Sequence, residues 1–208
     1  MTSVKICGIT KIEDARYAAY LGYDAIGLIF YPKSPRYITP EKARHIVSEL
    51  PPFVNCIGVF VDERPEIVRE IASFVKLSGL QLHGHESPEY CKSMPLRVIK
   101  AFGVDSRFNF RALAEYNDAN LAGFLLDKYS PELIGGTGQT FEWGLVENAK
   151  EYGKVILAGG INLFNVEAAI KEAEPDAIDV NSGVEVLPGE KNRVKMKELI
   201  EKVRRLKN

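Results

Sequence analysis

Cysteine is scarce in this 208-residue chain: Cys7, Cys56 and Cys91 are the three present, an odd number at unrelated spacings. That pattern excludes a disulfide framework, and because His83 and His85 lack companion ligands at useful spacing it also argues against a zinc site. No metal site is expected. Excess charge of either sign is missing as well, the formal net charge being -1, so nothing marks a surface for nucleic acid or an anionic membrane. No apolar run approaches the ~20 residues of a membrane-spanning helix, and the first residues carry neither a basic nor an apolar leader region. These absences predict a cytoplasmic protein. No linker, low-complexity tract or charge block divides the chain, so a single domain over residues 1–208 is expected. Also absent is a G-x-G-x-x-G fingerprint after the first strand, where the turn reads Cys7-Gly8-Ile9-Thr10, which argues against an open dinucleotide-binding sheet.

What the chain does have is 46% hydrophobic residues arranged as short Val/Ile/Leu runs alternating with segments of helical period, the pattern of repeated βα units around a parallel sheet. The strands predicted are Ser3 to Cys7, Ala25 to Ile29, Cys56 to Val61, Leu80 to His83, Arg97 to Phe102, Gly123 to Asp127, Val155 to Ala158 and Ala177 to Val180. Between them Ile12 to Leu21, Pro40 to Leu50, Pro65 to Phe74, Phe108 to Tyr116, Trp143 to Glu151, Phe164 to Glu172 and Lys191 to Arg205 read as helices. A weaker helical segment runs from Pro88 to Cys91, with Ser87 before it as N-cap. Pro40 and Pro65 fit a first helical turn, where a missing N–H costs nothing. Eight βα units in a chain of this length describe an α/β fold, a compact (βα)8 TIM barrel.

In that fold the chemistry gathers at the C-terminal ends of the strands, which here offer Cys7, His83, Asp127 and Asp179. Alternation along a strand puts Cys7 on the same face as Lys5 and His83 on the same face as Gln81. If Cys7 points into the mouth, Lys5 lies beneath it. Cys56 and Cys91 read instead as packing residues.

Seven segments together resemble the phosphoribosylanthranilate isomerase family: KICGIT at Lys5 to Thr10, SPRYI at Ser34 to Ile38, QLHG at Gln81 to Gly84, LLDKY at Leu125 to Tyr129, GGTGQTFEW at Gly135 to Trp143, LAGGIN at Leu157 to Asn162 and DVNSGVE at Asp179 to Glu185. The resemblance runs from the first strand to the last. It implies an aldose-ketose isomerase of tryptophan biosynthesis acting at the third step from chorismate, an intramolecular oxidoreductase that needs no cofactor. The reaction is an Amadori rearrangement of N-(5-phosphoribosyl)anthranilate to 1-(2-carboxyphenylamino)-1-deoxyribulose 5-phosphate.

By that resemblance Cys7 is the general base and Asp127 the general acid, so a thiolate and a carboxylic acid are expected together, titrating as one coupled pair. Arg36 corresponds to the residue that binds the anthranilate carboxylate, a task suited to a planar fork of donors. Asp179, Gln81 and His83 are expected to position substrate. Gly159, Gly160, Ser182 and Gly183 are expected near the phosphate, and Gly135 to Gly138 reads as a lid over the ligand. The partner implied is a small phosphosugar, with the chain a monomer or homodimer. Two departures from the family pattern are visible. Asn181 replaces a usual serine, bearing on phosphate geometry, and Gly189-Glu190-Lys191-Asn192 replaces a usual Gly-Lys-Lys-Asp in what reads as a surface turn remote from the chemistry. Two alternatives stand beside this reading. One is a histidine-pathway isomerase, which would use an aspartate where Cys7 stands. The other is a non-catalytic phosphosugar-binding barrel, which would need neither Cys7 nor Asp127.

Overall fold

A computed structural model describes residues 2–117, 119–128 and 143–206. Eight parallel strands close into a barrel in sequence order: β1 (Ser3–Ile6), β2 (Ala25–Ile29), β3 (Asn55–Phe60), β4 (Gly79–Leu82), β5 (Val98–Val104), β6 (Leu121–Lys128), β7 (Val155–Leu157) and β8 (Ala177–Val180). The barrel is sealed by β1 against β8, with Lys5 opposite Asp179 and Val4 opposite Ile178. The expected (βα)8 barrel is therefore the fold, with strand ends displaced by a residue or two. Cys7 and His83 each lie one residue past their strands, on the rim.

The strands lack polar alternation because both their faces are covered. Val4, Ile6, Ile26, Leu28, Leu80, Leu82, Val98 and Leu126 pack outward against the helices, while Ile57, Ile99, Ala101, Leu125, Ile156 and Ala158 form a separate apolar cluster on the alternate positions. The helices are α1 (Ile12–Leu21), α2 (Pro40–Ser48), α3 (Pro65–Val75), α4 (Pro88–Lys92), α5 (Glu147–Lys150), α6 (Val166–Ala173) and α7 (Arg193–Arg205). Their starts follow the local chemistry. Pro40 and Pro65 open α2 and α3, and Ser87 caps α4 by accepting from the Tyr90 amide at 3.2 Å.

Several helical expectations differ in detail, and the last helix, expected from Lys191, begins at Arg193. Phe110–Tyr116 is a 3-10 helix, not an α-helix, under an edge-to-face aromatic cluster of Phe102, Phe108, Phe110 and Tyr116. Trp143–Val146 is likewise a 3-10 turn running into the short α5. Helix α6 begins at Val166 and not Phe164, because the Asn162 and Asn165 side chains take up nearby backbone groups: Asn165 Oδ1 accepts from the Asn162 amide at 2.8 Å and Asn162 Oδ1 accepts from the Phe164 amide at 2.8 Å. One element was not foreseen. Between β8 and α7 the chain makes a 3-10 turn at Ser182–Val184 and then an antiparallel hairpin of β9 (Glu185–Leu187) and β10 (Glu190–Lys191).

A buried ion pair braces the loop after β4. Lys100 Nζ donates to the carbonyl oxygens of Leu82 at 3.3 Å and Gly84 at 2.7 Å, and to Glu86 Oε2 at 3.0 Å. Those two carbonyls flank His83, so the rim residue is held by its backbone on both sides.

Candidate active site

The barrel mouth opens into a cleft of about 730 Å³, its open end included, lined by Cys7, Arg36, Gln81, His83, Asp127, Gly159, Gly160, Asp179, Asn181 and Ser182 among others. Nine of the ten residues expected from sequence to form the catalytic, substrate and phosphate sites are in that lining, Gly183 being the exception, and among them Gly159 and Gly160 take the positive-φ conformations that glycine favours.

The floor is built by β1, β2 and β8. Lys5 lies beneath Cys7 as alternation predicts, and its ammonium bonds Asp179 Oδ2 at 2.9 Å, both residues being buried. Gly27 on β2 makes the room: a methyl group there would stand 2.6 Å from Cys7 Sγ and 3.0 Å from Lys5 Nζ. Any larger side chain at this position would displace the thiol or the ammonium. Gly8, at φ +72, turns the chain off β1 immediately after the thiol, and a Cβ there would collide with the Arg36 stem at 2.7 Å and Asn181 Oδ1 at 2.8 Å. The other oxygen of Asp179, Oδ1, is buried without a hydrogen-bond partner among the described residues. An acceptor in that condition awaits a donor.

Charge states follow from this packing. Burial works to lower the Lys5 pKa, but Asp179 and Cys7 beside it outweigh burial and hold the ammonium. Burial pushes the Cys7 thiol up, and Lys5 opposes that without overcoming it. Desolvation is thus the larger effect on the thiol and the cation beneath it the smaller, so packing alone favours the protonated form. The Asp127 carboxyl is shifted toward the acid form without being held in it at pH 7. Burial raises Asp127 to about 6, against a hydrogen bond donated by the Lys128 amide to Oδ1 at 2.8 Å.

His83 stands near that carboxyl, with Nε2 3.7 Å from Asp127 Oδ2. Burial, with Lys100 and Lys5 nearby, lowers His83 to about 4, so the ring is neutral at pH 7. The Gln81 side chain meets Nδ1 at 3.0 Å and fixes the ring plane.

Arg36, after β2, reaches the mouth but does not stand alone there. Its Nε lies 2.9 and 3.1 Å from Glu185 Oε1 and Oε2, and its Nη2 lies 2.8 Å from Oε2. Glu185 is held in turn by Lys191 Nζ at 2.9 Å and the Gly189 amide at 3.1 Å, and Lys191 also donates to Asn181 Oδ1 at 3.0 Å. This corrects the reading of Gly189 to Asn192 as a surface turn remote from the chemistry. The β9–β10 hairpin folds inward, leaving Lys191 4% exposed and joined to the residue that grips Arg36. Sequence reasoning missed Glu185 and Lys191. Glu185 closes the DVNSGVE segment and so carried a signal; Lys191 carried none, because a lysine in a polar turn reads as solvated.

On the other side of the mouth, the Gly159 and Gly160 amides make no backbone hydrogen bond to a described residue. Ser182 lines the cleft beside them, whereas Gly183 faces the neighbouring loop, where a Cβ would stand 2.0 Å from the Ile161 carbonyl. Gly135 to Gly138, the expected lid, lies outside the described residues. Among the described residues no cluster of three or more His, Cys, Asp or Glu is arranged to hold a metal ion, and no helix is long and apolar enough to cross a membrane.

A closed (βα)8 barrel whose mouth sets a thiol and a protonatable carboxyl in one cleft, with an ammonium beneath and a guanidinium at the side, defines an enzyme of the acid–base class. Comparison with known proteins narrows the class: the family model for N-(5'-phosphoribosyl)anthranilate isomerase matches residues 4–202, and the chain belongs to that family. It is 47% identical over 201 residues to the N-(5'-phosphoribosyl)anthranilate isomerase of Trichlorobacter lovleyi, covering 96% of this chain and 97% of that protein. The crystal structure of the Thermotoga maritima phosphoribosyl anthranilate isomerase superposes with a TM-score of 0.90 at 45% identity, covering 98% of this chain and 99% of that one. A second solved phosphoribosyl anthranilate isomerase, in complex with reduced 1-(o-carboxyphenylamino)-1-deoxyribulose 5-phosphate, is 43% identical with a TM-score of 0.87, again covering 98% and 99%.

Proposed function

We propose that this chain, acting as one catalytic domain in the cytoplasm, isomerises N-(5'-phosphoribosyl)anthranilate to 1-(2-carboxyphenylamino)-1-deoxyribulose 5-phosphate for tryptophan biosynthesis. The observation that carries the reading is the meeting of Cys7 and Asp127 in one buried cleft, in a chain of this family. Asp127 gives its proton to the furanose ring oxygen, the ring C1–O bond breaks, and C1 becomes the carbon of an iminium. Cys7, as thiolate, takes the proton from C2, and the electron pair moves to give an enolamine. Protonation at C1 and loss of the C2 hydroxyl proton then complete the ketose.

The flanking groups have distinct tasks. Lys5 supplies the positive charge that makes a thiolate accessible from a buried thiol. Asp179 Oδ1, buried and unpartnered, accepts from a ribose hydroxyl or the substrate nitrogen. Arg36 receives the anthranilate carboxylate, while Gln81 and His83 line the sugar. The phosphate lies against the Gly159–Gly160 amides and Ser182, with Gly183 supporting the adjoining loop. The test is direct: fresh phosphoribosylanthranilate is mixed with the protein and the loss of its fluorescence is followed. Absence of turnover overturns the reading.

A homodimer is the assembly proposed. A Thermotoga maritima phosphoribosylanthranilate isomerase is described as dimeric. Sedimentation equilibrium should return twice the chain mass, and a monomer mass at micromolar concentration rejects the assignment.

A further inference from the structure

The mouth contains an ionic chain that the acid–base chemistry leaves unused: Arg36, Glu185, Lys191 and Asn181. We propose that Glu185 is a positioning residue that grips Arg36 along one edge of its guanidinium and so aims the other edge at the carboxylate of the ligand, setting the preference for a carboxylated aryl group. The inference rests on the reading of Arg36 as the carboxylate receptor and adds what makes that receptor selective.

The geometry of the grip is the first support. A guanidinium is a rigid plane with five N–H donors. Glu185 engages Nε and Nη2 at 2.8–3.1 Å, which is the side edge. Nη1 makes no hydrogen bond to a described residue, so the end edge formed by Nη1 and the second hydrogen of Nη2 stays available in the cleft that Arg36 lines. That edge matches a carboxylate two bonds at a time.

The second support is that the grip is itself fixed. Glu185 is buried and accepts from Lys191 Nζ and the Gly189 amide, and Lys191 is anchored at Asn181. The Arg36 stem crosses directly over Gly8, where even a methyl group would not fit. The guanidinium therefore has little freedom to turn when a ligand arrives.

The charge count gives the third support. Arg36 and Lys191 carry two positive charges and Glu185 one negative, so a single positive charge remains for one incoming carboxylate. Charge alone and aim make opposite predictions. Removing the Glu185 charge would raise the positive potential and tighten the hold on a carboxylate, whereas loss of aim would weaken it.

The experiment measures binding by titration calorimetry of two probes: reduced 1-(o-carboxyphenylamino)-1-deoxyribulose 5-phosphate and the same compound without its carboxyl group. The quantity read is the ratio of their affinities in wild type, Glu185→Gln, Glu185→Asp and Arg36→Met. Positioning predicts that the ratio falls tenfold or more in both Glu185 variants, because Asp keeps the charge but is too short to hold both nitrogens, and that Glu185→Asp has no further effect on the Arg36→Met background. A ratio unchanged in Glu185→Asp, or raised in Glu185→Gln, overturns the proposal. Should Glu185→Gln fail to fold, Glu185→Asp decides alone. A wild-type protein that binds both probes equally refutes the assignment of Arg36 itself, a result distinct from failure of the Glu185 inference.

Discussion

Replacing Asp127 by Asn should make the protein more stable while removing its activity. A carboxyl that ionises at about 6 in the folded chain and at about 3.9 in the unfolded one binds more protons folded than unfolded between those values. Stability is therefore lost as pH rises through that window, and the loss is complete above it. The penalty comes to about 1.5 kcal/mol at pH 5 and about 3 kcal/mol at pH 8. Asn escapes it, since it is neutral throughout and its Oδ1 can still accept the Lys128 amide hydrogen bond, 2.8 Å long in the parent. In a chain of this size each kcal/mol moves Tm by about 2–4 °C, so Asp127→Asn should melt about 6–12 °C above its parent at pH 8 and about half as far above it at pH 5. Urea denaturation at both pH values gives the free energies, and the isomerase assay should show kcat reduced by about 10²–10⁴. A variant no more stable than its parent at pH 8, or equally favoured at both pH values, would show that the Asp127 carboxyl is not strained by burial.

The pH profile of kcat/KM supplies a second test. With Asp127 near 6 and Cys7 held above the ordinary thiol value, the pair carries one proton between those limits, and thiolate plus acid is a fixed minor tautomer of thiol plus carboxylate. The rate should rise through about pH 6, stay level, and fall only above about pH 8.5; a maximum confined near pH 6 contradicts the pairing. Steady-state kinetics should show Cys7→Ser losing kcat with little change in KM and Arg36→Met doing the reverse, and an exchange of those patterns would exchange the roles. Lys100→Met should lower the unfolding free energy by about 3–5 kcal/mol by stranding the Glu86 carboxylate, and adding Glu86→Gln should recover part of it. Equal stability of the single and double variants in urea would mean the ion pair is solvated.

Much of this was legible in the sequence for identifiable reasons. Strands buried on both faces read as unbroken apolar runs, and Pro40, Pro65 and Ser87 announced helix starts by backbone chemistry alone. Cys7, Lys5 and Asp127 were placed correctly because alternation along a strand fixes which side chains share a face. What escaped depends on through-space contact. The start of α6 was missed because the Asn162 and Asn165 side chains compete for the backbone. The β9–β10 hairpin has too few apolar residues to register as strand, so Lys191 was assigned to solvent when it is buried against Glu185. For Cys7 the sequence shows the neighbouring cation but not the depth of burial that opposes it.

The contact between Lys5 and Asp179 joins residues 174 positions apart, and the strands that carry them are the first and last of the barrel. The charge beneath the thiol is therefore tied into place only when the ring closes. During synthesis Lys5 precedes its anchor Asp179 by 174 residues, so the cation beside Cys7 waits unanchored until β8 is made. Half-barrels and truncated products therefore hold a thiol without its apparatus, so competence arrives with closure as a single late event in folding, one that long-range pairing makes slow.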